Sequence, residues 1–343
     1  MAKYIELEYK ELNGDYVLID LRSEGEYEEY TIPGAINIAI LNNEERKAIG
    51  TVYKNESEDK AKMMAVKAAS EKLPYIYETI KQLEDKHEKV VLFCARGGMR
   101  STVLDKLLVS LGSKVYKLKD GYKGYRAFIN QQLPIENDKV KYVVLQGNTG
   151  TGKTMILQEL KSRGYDILDL EGYANHRGSF LGSVGIGESY SQKKFESLLY
   201  EELRNRKGNL LLVEGESKRI GRILIPDYIY QNMIDSKRLL IDSDLDTRAQ
   251  NIIEEYTDSE NWKAETICGL KKLEKYLGIK EVERYCDMLE AGDVKELVKD
   301  LMENYYDPMY KKGEDKYVYE ITVDASDINT ACNTIEKWLS DNN

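Results

Sequence analysis

The sequence predicts two α/β domains, each a parallel sheet covered by helices, the second with helical additions. Three observations carry this: short apolar runs alternate with helical patterns, each half has a glycine-rich turn directly after such a run, and a polar stretch separates the halves. A chain of 343 residues has the length of two ordinary domains of roughly 100–200 residues each. With 42% hydrophobic and 32% charged residues it reads as a soluble globular protein. No apolar run approaches the length of a spanning helix, and residues 1–6 do not read as a signal peptide, so a cytoplasmic protein with no membrane partner is expected.

In the first half, residues 16–19 form an apolar run ending at Asp20, residues 90–93 another ending at Cys94, and residues 114–118 a third; these are the expected strands. Residues 59–83 have the spacing of an amphipathic helix, and residues 101–111 form a second helix closed by Gly112. From 128 to 139 the pattern lapses into polar residues around Pro134, so the expected domains are 1–130 and 139–343. The second half opens with a strand at 140–146, a glycine-rich turn and a helix at about 153–163. Further strands are expected at 210–213, 238–242 and 317–323, and a charged, mostly helical cap or lid at 261–306.

The formal charge of -10 argues only weakly against a nucleic-acid partner, because clustering matters more than the net value. Residues 204–222 carry six basic groups (Arg204, Arg206, Lys207, Lys218, Arg219, Arg222) against Glu214 and Glu216, which is either a phosphate-backbone patch or a solvated face. Cys94, Cys268, Cys286 and Cys332 form no C-x-x-C pair, and the only histidines are His87 and His176. Neither a disulfide framework, a metal site nor a bound redox cofactor is expected, and the last three cysteines are expected to be partly buried small hydrophobes.

Cys94 differs by its setting, Cys94-Ala95-Arg96-Gly97-Gly98-Met99-Arg100-Ser101, between a strand and a helix. A thiol is nucleophilic as thiolate, and its pKa falls at a helix N-terminus with cationic neighbours. Gly97 and Gly98 let backbone N–H groups turn inward as an anion nest, and Arg96 and Arg100 can add charge-assisted bonds. The thiolate is therefore expected to be exposed, ionised and ringed by amides. Two chemistries share this design: transfer of sulfur or selenium through a cysteine-bound persulfide, and phosphate-ester hydrolysis, whose Cys-x5-Arg spacing Cys94 and Arg100 also meet.

Gly147-Asn148-Thr149-Gly150-Thr151-Gly152-Lys153-Thr154 matches G-x-x-x-x-G-K-[ST] between an expected strand and an expected helix. Its N–H groups would cradle a di- or triphosphate, Lys153 would neutralise it, and Thr154 would hold Mg2+ where that metal takes part. Glu214 ends an apolar run where an Asp is usual, which counts against ordinary ATP hydrolysis. Arg248, after the run 239–241, is similar to an arginine that faces the phosphates in small-molecule kinases. His176 and Arg177 lie in a glycine-rich stretch, 172–187, expected to be a mobile loop offering Tyr173 and Phe180 for base stacking.

Asp20-Leu21-Arg22-Ser23, Glu26-Tyr27 and Thr31-Ile32-Pro33-Gly34-Ala35-Ile36-Asn37 resemble the opening of a rhodanese domain, in which an Asp-x-Arg braces the active loop. Thr31 stands where that family often carries His. The fold class is then a rhodanese-like parallel-sheet domain followed by a P-loop NTPase-like α/β domain. That order of domains resembles the tRNA 2-selenouridine synthases. So do Ile49-Gly50-Thr51-Val52-Tyr53-Lys54, Gly121-Tyr122-Lys123-Gly124-Tyr125-Arg126, Asp169-Leu170-Glu171-Gly172, Asn175-His176-Arg177-Gly178-Ser179, Glu214-Gly215-Glu216-Ser217-Lys218-Arg219-Ile220-Gly221 and Tyr305-Tyr306-Asp307-Pro308.

The resemblance implies replacement of sulfur by selenium at C2 of wobble 2-thiouridine in the tRNA anticodon loop, with selenophosphate as donor. It also implies transfer of a geranyl group from geranyl diphosphate to the thiocarbonyl sulfur, which requires an apolar tunnel, expected among the helices of the second domain. Cys94 is the expected catalytic residue, supported by Asp20, Arg22, Arg96, Gly97, Gly98, Arg100 and Ser101. His176, Arg177, Glu214, Arg219 and Arg222 are the candidate substrate contacts. The rival readings are an ATP-dependent sulfurtransferase and a non-catalytic switch in which nucleotide binding gates a partner-binding module.

Overall fold

The computed structural model describes residues 4–309 and 317–342. The chain forms two compact units, one built on the residues up to Leu133 with Glu196–Tyr200, the other on Pro134–Phe195 with the residues from Glu201 onward.

In the first unit five strands, β1 (Glu6–Leu7), β2 (Tyr16–Asp20), β3 (Ile36–Asn37), β4 (Lys89–Phe93) and β5 (Val115–Leu118), form a parallel sheet of order β1-β5-β4-β2-β3. The central strand β4 is buried over its last four residues, as an apolar run covered on both faces must be. Asp20 pairs in register with Phe93, so the residues that follow β2 and β4 leave the sheet side by side. Helices α1 (Glu24–Glu29), α2 (Asn43–Asn55), α3 (Glu58–Glu84), α4 (Met99–Ser110) and α5 (Gly121–Asn137) complete this part of the chain. The Asn42 side chain caps α2 by accepting from the Glu45 amide. The core gathers Ile19, Leu92, Leu104 and Leu108 with Ile76 and Ile80 of α3. The polar stretch at 128–139 is mostly helix: α5 runs through it and takes Pro134 into its last turn.

In the second unit β6 (Lys141–Gln146), β7 (Ile167–Leu168), β8 (Leu210–Glu214), β11 (Lys237–Asp242) and β12 (Ile321–Asp324) form a second parallel sheet, ordered β12-β11-β6-β8-β7. A short antiparallel pair, β9 (Arg219–Ile220) and β10 (Ile223–Leu224), stands apart. The last expected strand begins at Ile321, four residues later than its apolar pattern suggests. Helices α6 (Lys153–Ser162), α7 (Leu170–Ala174), α8 (Gln192–Asn205), α9 (Asp227–Ile234) and α10 (Leu245–Tyr256) follow the strands. The core joins Ile156 and Leu160 of α6 to Cys332 and Ile335 of the final helix, Ile328–Asn342. The expected helical cap is α11 (Trp262–Lys272), α12 (Glu274–Leu277), α13 (Ile279–Ala291) and α14 (Val294–Leu301), closed around Leu270, Tyr285, Leu289 and Leu297. Cys332 is buried and Cys286 half-buried, but Cys268 is exposed, against expectation. Among the described residues no helix is long and apolar enough to cross a membrane.

One charged residue is out of keeping with its surroundings. Asp105, on the buried side of α4, is 0% exposed and neither carboxylate oxygen has a hydrogen-bond partner. Burial pushes its pKa up to about 6. The folded state therefore binds more protons than the unfolded one between about pH 4 and 6, and stability falls as pH rises through that window. Asp105→Asn is expected to stabilise the protein by about 2 kcal/mol at pH 8 and to change little at pH 4, as read by thermal melts at both pH values. An equal effect at the two pH values would contradict this.

Candidate functional site

Each unit carries one candidate site at the C-terminal ends of its strands. In the first, Cys94 directly follows β4 and its side chain is 3% exposed, which corrects the expectation of an exposed thiol. The surroundings are nonetheless polar. The Ser101 hydroxyl lies 3.2 Å from Sγ, and the backbone amides of Ser101 and Arg96 hydrogen-bond to it. Burial pushes the thiol pKa up, but the Ser101 hydroxyl, those two amides and the Arg100 charge outweigh it and hold the thiol below its ordinary value. Gly98 is the N-cap of α4, so the first turn of that helix faces the sulfur.

Two glycines make the cradle fit. Gly97 has φ +60°, and a Cβ there would lie 2.9 Å from the Asp120 amide nitrogen. Gly121 has φ +55°, and its Cβ would lie 2.1 Å from the Cys94 carbonyl oxygen, which accepts from Tyr122 N–H at 2.9 Å. Of the two, Gly121 was given no role by the sequence reading; its place just after an apolar strand was the available signal.

Asp20 and Arg22 brace the neighbouring strand end and are positioning residues. The Arg22 guanidinium, 1% exposed, donates to Asp20 at 2.7 Å and to the Tyr30 carbonyl at 2.6 Å, and packs against the rings of Tyr30 and Tyr122. Thr31 donates to the same Asp20 carboxylate at 2.8 Å, so a hydroxyl fills the place where His is common. Leu21 N–H then donates to the Phe93 carbonyl, tying this end to the residue before Cys94. Arg100 pairs with Glu26 at 2.8 Å. Arg96 is exposed and has no ion pair among the described residues, which leaves it available to an incoming anion.

In the second unit the loop 147–154 joins β6 to α6. Gly150 and Gly152 have φ +80° and +81°, and a Cβ on Gly147 would lie 2.3 Å from the Ile241 carbonyl. The Lys153 ammonium donates to the carbonyls of Gly147 and Asn148 at 2.8 and 3.1 Å, and the Thr151 hydroxyl to that of Asn148. Helix α10 braces the loop from behind: Arg248 donates to the Thr149 carbonyl and Asn251 to that of Gly150. Arg248 thus grips the loop rather than facing phosphate. Its guanidinium also pairs with both Asp307 oxygens at 2.9 and 2.6 Å, after a π-helical turn at Met302–Tyr306. The Asn251 and Asp307 roles escaped the sequence reading, because their partners lie about 100 and 59 residues away.

Thr154 meets an acidic group. Its hydroxyl donates to Glu214 at 3.3 Å and to Glu171 at 3.4 Å, while the Glu171 amide donates to Glu214 at 2.7 Å. Burial, then repulsion from Glu216 and Glu214, pushes Glu171 up to about 10; burial also raises Glu214, Glu216 and Asp169. Among the described residues no group of three or more His, Cys, Asp or Glu could hold a metal. The Thr154 hydroxyl with the Glu171 and Glu214 carboxylates fits Mg2+ only in company with phosphate oxygens.

A cavity of about 460 Å3 opens over Lys153, Thr154, Glu171, Arg177 and Glu216. Beside it, sharing Thr149, Ile252 and Tyr256, lies an apolar slot of about 50 Å3 against Leu297, Leu301 and Met302. Arg177 stacks 4.5 Å over Tyr256 and donates to Glu255 and the Val184 carbonyl. The His176 ring is packed against Gly182 and Gly221, and burial pushes its pKa down. The stretch expected to be a mobile loop is pinned by its own bonds, Arg177 N–H to Gly182 O and the Asn175 amide to the carbonyls of Ile186 and Glu188. Arg219 is exposed and, like Arg222, absent from the cavity lining; Arg222 donates to the carbonyls of Tyr190 and Ser189. In the basic stretch Arg206 pairs with Glu136 and Lys218 with Asp227, which supports a self-paired face over a phosphate patch.

Asp307→Asn leaves the buried Arg248 charge without its carboxylate, and removing one partner of such a pair costs on the order of 3 kcal/mol. The variant is expected to lose about that much stability in chemical denaturation and to bind inorganic diphosphate more weakly by calorimetry. Unchanged diphosphate binding would show that the clamp does not position the loop.

Residues 140–342 match the tRNA 2-selenouridine synthase AAA domain, and residues 6–128 the rhodanese-like domain. The tRNA 2-selenouridine synthase of Marinobacter nauticus (strain ATCC 700491 / DSM 11845 / VT8) is 30% identical over 336 residues, 88% of this chain and 90% of the relative. That of Sulfurovum sp. (strain NBC37-1) is 29% identical over 85% of this chain and 87% of the relative. That of Nitrosomonas eutropha (strain DSM 101675 / C91 / Nm57) is 34% identical over 71% of this chain, but the match spans only 63% of that longer protein. With a thiol cradle in one unit, a phosphate loop in the other and these likenesses over both, the chain belongs to the tRNA 2-selenouridine synthase family.

Proposed function

We propose that this chain replaces sulfur by selenium at C2 of wobble 2-thiouridine in tRNA, with selenophosphate as donor, after S-geranylation by geranyl diphosphate. The observation that carries the reading is the thiol held below its ordinary pKa by inward amides, in a chain that also bears a phosphate loop beside an apolar slot. In the first step the thiocarbonyl sulfur bonds to the geranyl carbon, the carbon–oxygen bond breaks and diphosphate leaves. The loop 147–154 and Lys153 hold that diphosphate, Thr154 with the neighbouring carboxylates would hold Mg2+ beside it, and the slot receives the first carbons of the chain.

In the second step selenium bonds to C2, the C2–S bond breaks and geranyl thiol departs with a proton. Water takes selenium's place on phosphorus, leaving inorganic phosphate. S-Alkylation is what turns a poor leaving group into a good one. Cys94 in its cradle, with Arg96 at the mouth, handles the selenophosphate. The anticodon loop is the RNA element recognised, since single-stranded bases are read by stacking and edge contacts. Arg177, which lines the cavity, and the exposed Phe180 are the groups assigned to that stacking in this reading.

Incubation with selenophosphate, geranyl diphosphate and 2-thiouridine tRNA, followed by nucleoside mass spectrometry, tests this. Selenouridine is expected without ATP. Cys94→Ala should keep geranylation and lose selenation, and Lys153→Ala should slow geranylation by on the order of a hundredfold. An ATP requirement would favour a sulfurtransferase, an unchanged nucleoside a nucleotide-gated switch. Loss of geranylation with intact selenation in Cys94→Ala would overturn the division of labour.

A further inference from the structure

The first unit holds a groove of about 970 Å3 between α2, α3 and α4. Its walls are mostly apolar, and two of them are more than half open to solvent, Val66 at 64% and Val103 at 60%. A concave apolar surface of this size on one unit marks a binding site. Its rim is cationic, although Arg46 and Arg100 pair with Glu26 and Lys62 with Glu58 and Asp59 outside the groove lining. Five cations line it (Arg46, Lys47, Lys54, Lys62, Arg100) and no carboxylate does. Among the described residues Lys47 and Lys54 have no ion-pair partner. The groove also reaches the active loop, for Met99 and Arg100, the residues just after Gly98, belong to its wall.

An apolar interior under a cationic rim selects an apolar group attached to a polyanion. Of the species in the proposed reaction, the S-prenylated tRNA carries both next to the atom that Cys94's partner must reach. The slot beside the phosphate loop, at about 50 Å3, has room for only the start of a ten-carbon chain, whereas the groove takes all of it. We propose that this groove binds the S-prenyl group of the alkylated tRNA intermediate, with Lys47 and Lys54 on the flanking phosphates, and so presents the alkylated base at the mouth of the Cys94 loop. The inference rests on the proposed S-alkylated intermediate for the identity of the chain. It adds that the two prenyl-handling steps use different pockets, and that selectivity for the intermediate is built into the rhodanese-like unit.

Each buried CH2 is worth about fourfold in binding, so even partial burial of the chain gives a strong preference. The test uses the full-length protein and two anticodon stem-loop RNAs, one with 2-thiouridine and one with its S-geranyl derivative. The expected result is a preference of tenfold or more for the geranylated RNA, brought near one by Val66→Glu and by Val103→Glu. Both positions are exposed, and unchanged melting temperatures check that the variants fold. Lys47→Gln with Lys54→Gln should weaken both RNAs alike. No preference in the unaltered protein, or a preference that survives both glutamates, overturns the inference. So does a groove that takes an acidic helical peptide or a second copy of the chain while ignoring the prenyl group. Failure of the reaction reads out separately as absence of selenouridine on the same RNAs, which leaves the binding ratios to be judged alone.

Discussion

A sulfur that is 3% exposed can keep a pKa below its ordinary value only if something replaces the water it has lost. In this protein the replacement is the Ser101 hydroxyl and the amides of Arg96 and Ser101, fixed at the first turn of a helix. The features of the first site follow from that requirement. Gly97 and Gly121 give the loop a path close enough to turn its amides inward, where any side chain would strike backbone. The Asp20–Arg22 pair, packed against two tyrosine rings, fixes the strand end alongside.

The second unit meets the same need by a different route. Its glycine-rich loop has Lys153 bonded to the loop's own carbonyls, which would have to release it for the ammonium to meet an anion. Burial and mutual repulsion push the carboxyls of Glu171 and Glu214 toward their neutral forms, which lessens the negative charge beside the loop. Proton release from this group would accompany the arrival of a cation. The glutamate that stands where aspartate is usual reaches Thr154 across the sheet edge, so the strand-end carboxylate keeps its place beside the loop.

Much of this was legible from local sequence. Apolar runs at 16–19, 90–93, 140–146, 210–213 and 238–242 are strands, because a buried parallel strand must be continuously apolar. The two anion loops were legible because glycine at fixed spacing is a backbone requirement. Long-range partners were not legible: Arg248 looked like a phosphate ligand until Asp307 was seen to hold it. Pro134 looked like a breaker, yet it sits in the last turn of a long helix. The burial of Cys94 was missed as well, since sequence records which amides are present and not how closely the chain packs over them. The groove is invisible in sequence for a related reason: its walls come from three helices whose apolar faces each look like ordinary core.

The central claim is that the Cys94 cradle lowers the pKa of a buried thiol. Thiolate absorbance near 240 nm, titrated against pH in the full-length protein with the Cys94→Ala protein subtracted, measures it directly. The account predicts a difference signal with its midpoint below that of the same cysteine in the unfolded chain. A midpoint above that value would mean that burial wins over the amides, and the cradle would then be a packing feature and not a site for chemistry.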